Sequence, residues 1–120
     1  MNAEQRNRVR SEAKRLVESF RFIAPLPDYP TLVKRACHIV EQRNRNHREW
    51  LEIELGYDNN PLAAPTDVQT RWVRNYIRHY LSNYESLLAE IEAQDRHGDG
   101  YKIIRDAIDR KIDAAIRELL

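Results

Sequence analysis

Apolar residues recur every three or four positions through most of the chain, the period of a helix with one buried face. Val9, Ala13, Leu16, Val17 and Phe20 form the first such stripe and predict a helix over residues 3–22. The segment "APLPDYP" then interrupts it, because prolines remove backbone donors and push the residues before them out of the α region. Asp28 or Thr31 is placed to cap the next helix, with Pro30 tolerated in its first turn. That helix is predicted over 29–44 on Leu32, Val33, Ala36, Cys37 and Val40. Its stripe runs into Arg43, Asn44 and His47, so the helix leaves the core or breaks near "QRNRNH". The following "WLEIEL" alternates apolar and acidic residues, as a strand would. Gly56 and "YDNNP" form a helix stop, however, and no partner strand is present, so helix is predicted over 46–55.

The second half is patterned more plainly. Thr66 and Gln69 form a capping box behind Pro65 and open a helix over 66–81, whose stripe buries Val73, Tyr76, Ile77, Tyr80 and Tyr84. Ser82 and Glu85 repeat the box, which predicts a break at Leu81–Asn83 and a helix over 83–95 on Leu87, Leu88 and Ile91. "DRHGDG" ends it. The last helix is predicted over 101–119 on Tyr101, Ile104, Ile108, Ile112, Ala115 and Leu119, with Asp106–Arg110 and Asp113–Arg117 as i,i+4 ion pairs. The expectation is an all-α protein, one domain over 1–120, folded as a compact bundle of about five helices.

Composition adds limits. A chain of 120 residues, 42% hydrophobic and 32% charged, is long enough to bury a core without metals or disulfides and too apolar for disorder. The single cysteine, Cys37, has no partner for an internal disulfide, which points to a reducing, cytoplasmic setting. No apolar run approaches the roughly 20 residues of a membrane span, and "MNAEQRNRVR" lacks the apolar core of a signal peptide.

Charge is unevenly distributed although the net is only +1. Residues 1–24 carry six basic and three acidic side chains, whereas residues 85–120 carry six and nine. Arginine, the residue suited to bidentate contact with phosphate or carboxylate, outnumbers lysine sixteen to four. Arg6, Arg10, Lys14 and Arg21 fall within about 80° of one another on the first predicted helix. Arg71, Arg74 and Arg78 fall on the side of the third helix away from its tyrosines. Such rows suit the phosphate backbone of a nucleic acid, contacted without base reading, or an acidic protein surface. No aromatic residue is interleaved with them as a stacking platform.

Three further groups carry possible chemistry. Residues 95–106, "DRHGDGYKIIRD", put Asp95, His97, Asp99, Gly100 and Asp106 at the spacing of a calcium-binding loop. His97 offers nitrogen where calcium takes oxygen, and Lys102 stands at an apolar position, so a polar turn between helices is the expected reading and no metal or other cofactor is assigned. Cys37 beside His38 is a poor nucleophile pair, since neighbouring helical residues diverge by about 100° and Cys37 belongs to the buried stripe. Trp50, next to "WLEIEL", is a candidate for a protein interface.

Arg74-Asn75-x-x-x-His79 resembles the R-[N/D/H]-x(3–5)-H motif of HEPN ribonucleases, small helical proteins that dimerise around a composite site. The resemblance implies metal-independent RNA cleavage, with His79 assisting attack by the ribose 2′-hydroxyl and Arg74 holding the scissile phosphate. Residues five apart, however, diverge by about 140° on a straight helix. "IRHYLSNYESLL", residues 77–88, is similar to the V-R-H-x-x-T-N-Y-D-x-L-L signature of an uncharacterised domain family, with serine for threonine and glutamate for aspartate. That resemblance implies that Arg78, His79 and Asn83 belong together and leaves Arg74 outside. The expectation is a non-enzymatic helical binding protein, a subunit or regulator in a nucleoprotein assembly, with a homodimer also compatible. A HEPN-like ribonuclease and a protein–protein adaptor or inhibitor are the alternatives.

Overall fold

The computed structural model describes residues 2–43, 66–94 and 98–120. Those residues form five helices and no strand: α1 (Ala3–Glu18), α2 (Tyr29–Arg43), α3 (Thr66–Tyr80), α4 (Tyr84–Glu92) and α5 (Asp99–Leu119). The all-α expectation holds. The predicted segment 46–55, with "WLEIEL" and Trp50, lies outside the described residues, as do Asp95 and His97.

The starts of α1 and α2 have local causes. Asn2 accepts from the Gln5 backbone N–H at 2.8 Å and the Gln5 side chain accepts from the Asn2 N–H at 2.9 Å, a reciprocal box that the sequence reading missed. Asp28, rather than Thr31, caps α2: its Oδ1 accepts from the Thr31 N–H at 2.9 Å. That hydrogen bond holds the Asp28 carboxyl below its ordinary range.

The core is built around α5. Gly100, Ile104, Ile108, Ile112 and Ile116 fall on one seam at intervals of four, and all five are buried. Helix α5 packs against α1, α3 and α4, while α2 packs on the far side of α3. Val9, Ala13 and Leu16 come in from α1, Val73 and Ile77 from α3, and Tyr84, Leu87 and Ile91 from α4. Burying each of these isoleucines contributes roughly 1.5–3 kcal/mol. Gly100 permits the closest approach. A Cβ there would lie 2.6 Å from Ile91 Cγ1 and 2.8 Å from Val9 Cγ1, so α1 and α4 converge on the first turn of α5.

Helix α1 stops at Glu18, short of the expected residue 22, because another part of the chain takes over its backbone partners. Phe22 and Ser82 form an isolated antiparallel bridge, with Ile23 N donating to Leu81 O at 3.0 Å and Asn83 N donating to Arg21 O at 3.2 Å. These bonds replace the helical ones that residues 21–23 would otherwise make. Arg21 therefore sits beyond α1 and not on its face.

Candidate nucleic-acid interface and the α3–α4 corner

Helix α3 ends at Tyr80 and α4 begins at Tyr84, which places the predicted break at the expected residues. The chemistry of the corner differs from the expected capping box. Ser82 Oγ donates to the Arg78 carbonyl at 2.7 Å and accepts from the Tyr84 N–H at 3.3 Å, closing the corner on itself. Glu85 does not reach back to Ser82. Its Oε1 lies 2.9 Å from His79 Nδ1, bridging the end of α3 to the start of α4.

Asn83 is the second fastening, and its partners are distant in sequence. Its Oδ1 accepts from the Arg21 N–H at 2.9 Å and its Nδ2 donates to the Ser19 carbonyl at 2.9 Å. One side-chain amide thus satisfies two backbone groups at the end of α1. Tyr84 is buried at 2% exposure beneath the corner, and burial pushes its phenol up to about 12. The His79 ring meets Tyr84 edge-on at 5.6 Å, and the Arg78 guanidinium lies over the Tyr84 ring at 5.5 Å. Arg78, His79, Ser82, Asn83, Tyr84 and Glu85 all have structural partners here, so the RHxxSNYE segment acts as one fastening for the corner.

Two of the three arginines of α3, Arg74 and Arg78, are turned towards α5. Arg74 makes two hydrogen bonds to Asp113, Nε to Oδ1 at 2.8 Å and Nη2 to Oδ2 at 3.2 Å. One turn further, Arg78 Nη1 lies 3.5 Å from Asp109 Oδ1, and Arg78 also donates to Asn75 Oδ1 at 3.1 Å. Arg74 and Arg78 ascend α3 as Asp113 and Asp109 descend α5, making a two-rung ladder between the helices. The Arg78 side chain is 11% exposed and Asp109 is 23% exposed. Burial raises the Asp109 carboxyl above its ordinary range, opposed by the charges of Arg78 and then Arg74. Asp113, expected to pair along its own helix with Arg117, pairs across to Arg74 instead. Arg71 remains exposed.

The HEPN-like pair has separate partners: Arg74 binds Asp113, and His79 contacts Glu85 and Tyr84. Asp99 and Asp106 of the calcium-loop pattern both lie on α5, seven residues or about 10 Å apart along the helix axis, too far to share one ion. Asp99 is instead bound by Arg10, whose Nη2 and Nε lie 2.8 and 3.3 Å from its Oδ2. That hydrogen bond and the Arg10 charge, with smaller contributions from Lys102 and Arg6, hold the Asp99 carboxyl below its ordinary range. Cys37 is buried, and desolvation raises its thiol, which keeps it protonated and unreactive.

On α1, Arg6, Arg10 and Lys14 are exposed. The Arg10–Asp99 pair is about half exposed on both sides, at 49% and 47%. Lys111 from α5 secures the end of this helix by donating to the Val17 carbonyl at 3.3 Å. Sequence reasoning finds this row but not the distant partners: it gives Asn83 only as part of the RHxxSNYE segment and Asp113 only as a mate for Arg117, and these two and Asp109 each act across more than 30 residues. Comparison with family models, curated proteins and solved structures found no match to the chain.

Proposed function

We propose that the protein is a non-enzymatic helical binding protein that meets the phosphate backbone of a nucleic acid through the outer face of α1. The observation that carries this reading is the unequal fate of the two arginine rows. Arg74 and Arg78 are engaged by Asp113 and Asp109 inside the α3–α5 contact, whereas Arg6, Arg10 and Lys14 stand exposed along one helix. An exposed ion pair contributes only about 0–1 kcal/mol, so Arg10 exchanges Asp99 for a phosphate at small cost. Arg71 and Arg21, both exposed, extend the basic surface at other places on the molecule.

The test is the salt dependence of binding to a fluorescein-labelled 20-base-pair DNA duplex, followed by anisotropy. Phosphate contacts release counterions, so affinity falls log-linearly with salt. Neutralising Arg6, Arg10 and Lys14 to glutamine is expected to lower affinity at least tenfold. It also makes the salt slope shallower by roughly one unit per lost contact. Unchanged affinity and slope in this triple variant would refute the α1 assignment.

A further inference from the structure

The contact between α2 and α3 forms a groove that neither helix makes alone. Its volume is about 290 Å³, and its walls are Lys34, Arg35, His38 and Ile39 of α2 and Tyr76 of α3. Tyr80, expected to be buried with Tyr76, is instead 45% exposed at the helix end. Its ring stacks on Tyr76 at 5.3 Å, but it is not a wall of the groove. The groove surface is chiefly apolar. Ile39 and Tyr76 are half-buried and supply apolar side chains, while Lys34, Arg35 and His38 are exposed. Lysine and arginine lay their methylene stems along apolar surface and keep their charged heads in water. Among the described residues lining the groove none is acidic. Asp28, whose carboxyl feels the Lys34 charge, is committed to capping α2 through the Thr31 N–H. The result is a short apolar slot with a basic rim.

We infer that this groove docks an acidic segment of a partner protein, which seats one apolar side chain against Ile39 and Tyr76 and sets flanking carboxylates on Lys34, Arg35 and His38. Charge complementarity and the apolar wall together select that occupant. A sugar-phosphate chain would match the cations and leave the apolar wall uncovered. An uncharged apolar segment would cover the wall and leave the cations unmatched. Size limits the anchor: residues 34–39 span about 7.5 Å of helix, room for one side chain and not for the row of anchors that a helix lays in a long groove. Lys34 and His38 stand at i,i+4 on α2, and Arg35 and Ile39 repeat that spacing beside them, so the cations border the apolar position directly. An apolar anchor inside a charged rim is the usual plan of a small protein interface, in which the rim charges set partner choice. The surface belongs to α2 and α3 and does not rest on the nucleic-acid reading of α1.

The experiment titrates the full chain with a short fluorescein-labelled peptide in which one leucine is flanked on both sides by glutamates. Two control peptides carry serine for the leucine or glutamine for every glutamate. The wild type is expected to bind the serine peptide at least about tenfold more weakly, the size expected for loss of one buried leucine. The glutamine peptide should also bind at least about tenfold more weakly, as should the parent peptide to Lys34→Glu with Arg35→Glu. Both of those residues are exposed, so circular dichroism of this double variant should overlay that of the wild type. Amide chemical shifts of the unmutated protein give a reading that no variant can confuse: the parent peptide should move residues 34–39 and Tyr76. Failure of the parent peptide to bind, equal affinity for the leucine and serine peptides, or shifts centred on α1 overturns the inference. So does displacement of the parent peptide by oligothymidylate at lower concentration than by unlabelled parent peptide, which would make the groove a nucleic-acid site. Failure of the α1 reading is separate, because it is judged on duplex DNA with the Arg6, Arg10 and Lys14 variant.

Discussion

Two arginine rows of similar spacing have opposite fates in this molecule. On α1, Arg6, Arg10 and Lys14 are exposed, and Arg10 is matched by an acid that is itself half exposed. On α3, Arg74 and Arg78 face a second helix that supplies an aspartate for each. What separates them is the packing partner. Helix α5 presents Asp109 and Asp113 along its α3-facing side and reaches α1 mainly through its isoleucine seam and Asp99. A charge row is thus an exposed face or an internal fastening according to what the neighbouring helix brings to it.

Four substitutions probe this difference, with expected effects running from large to small. Arg78→Met should cost roughly 3–5 kcal/mol in denaturant unfolding, since it leaves Asp109 partly buried without its counter-charge. Next is the corner. Asn83→Ala removes both side-chain bonds to Ser19 and Arg21, leaves those backbone groups without these partners, and should cost about 1–3 kcal/mol. Arg74→Met, at a pair about one-third exposed, should cost about 1 kcal/mol. Smallest is Arg10→Gln on α1, expected to shift stability by under about 0.5 kcal/mol and to disappear in high salt. If Arg10→Gln destabilised as much as Arg78→Met, the distinction between the rows would collapse.

Acidity separates the rows a second way, because their aspartates are shifted in opposite senses. Asp99 is lowered, so its contribution is present above the ordinary aspartate range and is lost as pH falls through its folded value. Asp109 is raised, so its contribution is complete below the ordinary range and is lost as pH rises through the elevated folded value. Urea unfolding at stepped pH should therefore show the wild type losing stability relative to Asp109→Asn as pH rises through that window. Relative to Asp99→Asn it should gain over its own, lower window. The same direction for both variants would contradict the assignment of buried and exposed pairs.

Much of this fold is legible in the sequence. The Ile104, Ile108 and Ile112 stripe, the proline-rich stop after α1 and the break at Leu81–Asn83 are local signals, and each corresponds to an observed feature. What escapes is non-local. The early end of α1 depends on Asn83, more than 60 residues away, and helical period alone continues the stripe to Phe20. Arg74 and Arg78 read as an outer face because they lie away from the tyrosines. A helix packed on two sides has two inner faces, and the tyrosines mark only the one toward α2. Ser82 and Glu85 have the spacing of a capping box, but Glu85 meets His79 in space and Ser82 turns back to Arg78. The Tyr80 stripe position is right in angle and wrong in depth, because the helix ends there.

The most direct test is a double-mutant cycle across the α3–α5 ladder, with Arg78→Met, Asp109→Leu and the pair measured by urea unfolding at neutral pH. The internal-fastening account predicts that each single change is strongly destabilising. The double variant, with two apolar side chains in place of the pair, should recover most of the loss, giving a coupling of about 2 kcal/mol or more. Two single changes within about 0.5 kcal/mol of wild type, adding without coupling, would mean that Arg78 stands in solvent and that α3, like α1, carries an exposed basic face.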